Sequence, residues 1–184
     1  MFVLIFTVVA VSLSARAQEE MTAERFREIV SSPGDNTPLN PKLLAIGPIW
    51  TNATITVDLK YADGRKMKEE ISGSNKTVKG KYVVATVNSD LYKQPINSIS
   101  TYDENSGCYK FWGLWGDTVT EGLMVYDADK KIYSTHSTYA DGYLEVGVGS
   151  YSNTNNQSHT VVLKNGVLFS TRDIDVVPAK PVKK

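Results

Sequence analysis

Residues 102–138 read YDENSGCYKFWGLWGDTVTEGLMVYDADKKIYSTHST. One pattern occurs twice in this stretch: Tyr102-Asp103 followed by Tyr109, and Tyr126-Asp127 followed by Tyr133, displaced by 24 residues. A period of that length fits one β-hairpin plus its connection. Between the two copies, Gly116-Asp117 is a two-residue turn signal that pairs Trp115 with Thr118 and so sets Trp112 opposite Glu121. A four-residue loop at 127–130 pairs Tyr126 with Lys131 and sets Glu121 opposite His136. The stretch therefore predicts an antiparallel meander in which Trp112, Glu121 and His136 share one face.

Outward from this stretch the same chemistry continues. Tyr-Ala-Asp-Gly occurs at 61–64 and again at 139–142, and Ser106-Gly107 and Asn165-Gly166 supply further turns. Runs rich in β-branched and aromatic residues predict strands at 50–60, 65–72, 79–88, 95–102, 108–115, 118–126, 131–138, 143–151, 159–164 and 167–176. The expected fold is all-β: an antiparallel up-and-down barrel of about ten strands, since closure removes exposed strand edges. Before it, Thr22 caps a short helix through Val30 that carries Phe26, Ile29 and Val30 on one face. The expected domains are a signal peptide at 1–17, the helix and a proline-containing loop at 18–48, the barrel at 49–177, and a disordered basic tail at 178–184.

The signal peptide is read from an apolar run at 1–13 that is too short to span a bilayer, followed by Ala15-Arg16-Ala17. It predicts export to the periplasm or the extracellular space, with no stable membrane span after cleavage. Removing 1–17 takes away one base, Arg16, and leaves 19 basic against 20 acidic residues. That balance gives no electrostatic footprint for nucleic acid. The remaining length suits one domain with a core that needs no covalent staple. Cys108 is the only cysteine, so no intrachain disulfide forms, and it reads as a small buried apolar residue.

Residues 79–151 carry Gly80-Lys81-Tyr82, Tyr102-Asp103, Tyr109, Trp112, Glu121-Gly122 and Tyr126-Asp127 in order. This pattern resembles a bacterial family of exported and cytoplasmic proteins that share a domain of unknown function with a lipocalin-like, calycin-type β-barrel. The resemblance implies the barrel and no catalytic residues. In the wider lipocalin-like superfamily a Gly-x-Trp opens the first strand, and a basic residue on the last strand packs across the tryptophan. Gly47-Pro48-Ile49-Trp50, one residue longer, and Arg172 stand in those places, which implies barrel closure by a cation–π contact between Trp50 and Arg172.

The face shared by Trp112, Glu121 and His136 also carries Leu114 and Leu123, and we assign this mainly apolar set to the barrel interior. Lys110 has the same parity and opposes that choice. The opposite parity, with Tyr109, Phe111 and Tyr133, is assigned to the outside. The expected ligand-binding residues are therefore Trp112, Glu121, His136, Leu123 and Leu114. With His136 and His159 the only histidines and no H-x-H or H-E-x-x-H spacing, no zinc site and no cofactor are expected. Haem iron held by His136 or His159 is the alternative. No serine elbow, phosphate loop or dinucleotide fingerprint occurs. The leading expectation is non-catalytic binding of a small, partly apolar molecule inside the barrel. The others are a solid barrel acting as a structural or interaction protein of the cell envelope, and an enzyme using Glu121 and His136 as acid and base.

Overall fold

The computed structural model describes residues 20–46, 50–89, 94–152 and 154–179. The expected signal peptide, the Gly47-Pro48-Ile49 segment and residues 180–184 lie outside the described residues. Two helices, α1 (Ala23–Ser31) and α2 (Pro41–Ala45), precede ten strands. These are β1 (Ala53–Tyr61), β2 (Lys66–Val78), β3 (Tyr82–Asn88), β4 (Ile96–Asp103), β5 (Cys108–Trp115), β6 (Thr118–Asp127), β7 (Ile132–Thr138), β8 (Tyr143–Tyr151), β9 (Asn156–Lys164) and β10 (Val167–Pro178). Every strand pairs antiparallel with its sequence neighbours, and β1 pairs with β10 from Ala53↔Pro178 to Tyr61↔Ser170. The sheet is a closed up-and-down barrel.

The tyrosine repeat has a local cause. Tyr102 pairs with Tyr109, and Tyr126 with Tyr133, so each repeat brackets a four-residue loop. The aspartate that follows the first tyrosine closes the loop. Asp103 accepts the Asn105 amide at 3.0 Å, and Asp127 accepts those of Asp129 and Lys130 at 3.1 Å. The fourth loop residue turns the chain back with a positive φ, +67° at Gly107 and +55° at Lys131.

β2 ends six residues beyond its sequence signal, because it changes partner midway. Its first half pairs with β1 through Gly73, and its second half pairs with β3 from Ser72 to Val78. Ser72 and Gly73, which pair with both neighbours at the expected end of the strand, are the crossing point. β9 likewise begins three residues early, at Asn156.

Two apolar clusters lie on opposite sides of the barrel wall. Outside, α1 presses Phe26 and Ile29 onto Val78, Tyr82, Val84, Ile99 and Trp112. Ile99 is fully buried there although it faces away from the lumen. Thr22 caps α1 by accepting the Arg25 amide at 3.1 Å. Lys76 on β2 donates at 2.7 Å to the carbonyls of Val30 and Ser32 at the C-terminal end of α1, and Arg27 reaches Asp117 on the β5–β6 turn. Inside, α2 closes one end of the lumen: Leu43 packs with Tyr109, Met124 and Tyr133, and the Tyr109 hydroxyl donates to the Lys42 carbonyl at 2.9 Å.

Candidate functional site

The register places Trp112 opposite Glu121, as the Gly116-Asp117 turn dictates. Glu121, however, pairs with Thr138, and His136 pairs with Leu123. Asp127 belongs to the ladder and Lys131 to the loop, which shifts the pairing by two residues and leaves parity unchanged. Trp112, Glu121 and His136 therefore share a face, and that face is the outer one.

This corrects the interior assignment. Trp112 is 5% exposed because α1 covers it, and Leu114 packs at the margin of the same cluster. Glu121 and His136 are exposed, and Leu123 is 40% exposed. The Trp112 Nε1–H donates to Glu121 at 2.8 Å, and Lys110 stands 3.8 Å from the same carboxylate and 3.7 Å from Asp103. His136 forms no hydrogen bond or ion pair with Glu121. His159 also faces outward, 2.6 Å from Asp173. The hydrogen bond from His159 holds the Asp173 carboxyl below the usual carboxylate range. Neither histidine reaches the lumen. Cys108 is half-buried rather than buried.

The parity expected outside lines the lumen instead. Tyr102, Tyr109, Tyr126, Tyr151 and Tyr133 form a belt with successive ring centroids 5.0, 6.5, 6.4 and 4.7 Å apart. Burial raises the Tyr109, Tyr133 and Tyr151 hydroxyl pKa values above the ordinary tyrosine range. The belt fits because glycines face it: a Cβ at Gly149 would meet the Tyr133 ring, and one at Gly122 the Phe111 ring.

Trp50 and Arg172 do not meet. Arg172 pairs with Leu59 on β1, six residues and about 20 Å beyond the first residue of that strand, whereas Trp50 precedes it. The β1–β10 ladder closes the barrel without them. Trp50 accepts the Asn75 amide at 2.7 Å, while Arg172 points into the lumen and binds Glu145 at 2.7 Å. The Tyr139 hydroxyl donates to the other Glu145 oxygen at 3.1 Å. Burial and the Glu145 carboxylate push the Tyr139 pKa up to about 12.

Between the tyrosine belt and β1–β4 the lumen holds a cavity of about 260 Å³. Leu43 and Ile46 form its floor, Ile55, Val83, Val87 and Val176 its apolar walls, and Asn75, Ser98, Ser100, Tyr151 and Asn156 bring polar atoms to it. Sequence reasoning missed these residues. They come from strands at both ends of the chain, and no local motif joins them. A second, larger depression of about 720 Å³ is an open groove on the outer face of β6–β10, β1 and β2, beside exposed Val125, Ile132 and Val148. Among the described residues no group of three or more His, Cys, Asp or Glu side chains is placed to hold a metal ion, and no helix is long and apolar enough to cross a membrane.

These features define a lipocalin-like β-barrel with a small internal cavity. The solved S-type phycobiliprotein lyase CPES from Guillardia theta is similar to it, with a TM-score of 0.54 at 10% sequence identity, over 88% of this chain and 95% of that one. At that identity the likeness is one of fold. No family model matches the chain, and no curated protein matches it.

Proposed function

We propose that this protein is an exported barrel that binds a small, partly apolar molecule in its lumen without transforming it. The observation that carries the reading is the 260 Å³ cavity, apolar over most of its wall and supplied with a few convergent polar groups. Its volume lies just below the range of about 300–1,000 Å³ common for ligand sites, which favours a compact ligand. The apolar run at 1–13 with Ala15-Arg16-Ala17 supports export. The barrel of the phycobiliprotein lyase supports the scaffold and carries no substrate over to this chain. Acid–base catalysis by Glu121 and His136 loses its basis, because the two are neither paired nor enclosed.

Native mass spectrometry of the protein purified from its own host tests the reading. The expected result is a bound small molecule that is lost from a variant whose lumen is filled by Ala85→Trp. A spectrum of bare protein, with no apolar probe binding that Ala85→Trp abolishes, would remove it.

A further inference from the structure

We propose that the lumen cavity selects uncharged ligands that carry hydrogen-bonding groups along one edge, of the amide, lactam or alcohol kind, and rejects carboxylates, phosphates and amines. The proposal rests on the lumen-binding reading and names the ligand class.

Three observations carry it. First, among the described residues no side chain lining the cavity is charged. An ion entering it would lose its hydration with no countercharge to replace it. The nearest lumen ion pair among the described residues, Arg172 with Glu145, lies four residues before Val176 on β10, about 13 Å away, and its two charges are spent on each other.

Second, the side chains of Asn75, Ser98 and Ser100 have no hydrogen-bond partner on the protein among the described residues. All three are half-buried with their hydrogen-bonding capacity free of the protein, so a ligand that pairs with them takes the place of solvent. Asn156 adds a directed donor: its Oδ1 accepts the Tyr133 hydroxyl at 2.9 Å, which turns its Nδ2 hydrogens elsewhere.

Third, these groups form an L-shaped set on one wall of the cavity. Asn75 pairs with Ala85, and Ala85 with Ser98, so the amide and the hydroxyl stand two strand spacings, about 10 Å, apart with only a methyl between them. Ser100 follows Ser98 on the same face of β4, about 7 Å on. Amides and hydroxyls both donate and accept, so the set matches a neutral ligand edge bearing both functions. Ile55, Val87 and Val176 face it and receive the apolar side of the ligand.

The test is ligand-observed NMR with four probes of one shape: benzamide, benzyl alcohol, benzoate and benzylamine. They are measured at neutral pH against the wild type, the lumen-filling variants Ala85→Trp and Ala85→Leu, and the polar-edge variants Asn75→Leu and Ser98→Ala. Circular dichroism checks each fold, and the milder Ala85→Leu serves if Ala85→Trp does not fold. Benzamide and benzyl alcohol are expected to bind, to be lost on lumen filling, and to weaken about five- to tenfold in Asn75→Leu or Ser98→Ala. Benzoate or benzylamine binding as tightly as benzamide, with both lost on lumen filling, overturns the selection for neutral ligands and leaves lumen binding standing. Binding that survives lumen filling, or no binding by any probe, overturns both.

Discussion

Replacing Phe26 by alanine tests the arrangement of the two clusters, because Phe26 belongs to the outer one alone. Phe26 is 2% exposed and packs with Ile29 over Val78, Tyr82, Val84, Ile99 and Trp112. Removing its ring forfeits the transfer free energy of a buried aromatic and leaves a hole between helix and sheet, together about 3–5 kcal/mol. The hole cannot close cheaply. Lys76 holds the carbonyls of Val30 and Ser32, and Arg27 holds Asp117, so α1 is tied to the barrel at its middle and its C-terminal end and does not settle freely into the gap. For a domain of this length the loss lowers the melting temperature by about 6–20 °C. Urea denaturation should show a lower midpoint with an unchanged slope, while benzamide binding at temperatures where the variant stays folded is unaltered. A cost below about 1 kcal/mol would mean that α1 does not seal the outer wall. A loss of lumen binding in a folded variant would mean that Phe26 reaches the inside.

Further outcomes follow from the lumen and the turns. Gly149→Ala places a Cβ against the Tyr133 ring and 2.5 Å from the Gln157 carbonyl, and should cost about 1–3 kcal/mol; Gly113→Ala meets only the Thr120 hydroxyl, at 3.2 Å, and should cost less in the same denaturation assay. Arg172→Met strips the partner from the mostly buried Glu145 and should cost about 2 kcal/mol, below the loss for a fully enclosed pair; combining Arg172→Met with Glu145→Leu should recover most of it. In a spectrophotometric titration of the ten tyrosines, Tyr139 should ionise near pH 12; its raised pKa contributes stability that is complete below pH 10 and lost as the pH rises toward 12, and Tyr139→Phe should remove one late-titrating group. Asp35 has its pKa lowered, chiefly by the Lys79 amide, so its contribution is present above the ordinary value of 3.8 and lost as the pH falls through the folded value; Asp35→Asn should flatten the acid limb of the stability curve.

The barrel was legible because turn chemistry and alternation repeat along the whole chain. Gly116-Asp117 was enough to place Trp112 opposite Glu121. Which face is inside was not legible, because alternation sorts residues into two sets without saying which set meets the lumen. The difficulty is sharpest here, since α1 buries the outer face of β2–β6 and makes both parities apolar. Lys110 was the signal on the right side of the question. It lies outside with Trp112 and reaches Asp103 and Glu121. The glycines were a second signal: Gly122, Gly147 and Gly149 share the parity of Tyr109 and Tyr133, as a narrow lumen holding large rings requires. Asn75 and Ser98 could not be found by motif, because their meeting depends on β2 crossing from β1 to β3 at residues read as a strand end.

The central claim is that a ligand enters the lumen rather than the outer groove, and methyl-resolved NMR of the protein with bound benzamide addresses it directly. Nuclear Overhauser contacts from the ligand to the methyls of Ile55, Val83, Val87 and Val176 are the result predicted, because these side chains wall the cavity. Contacts to Val125, Ile132 and Val148 in their place would put the ligand in the outer groove and contradict the account.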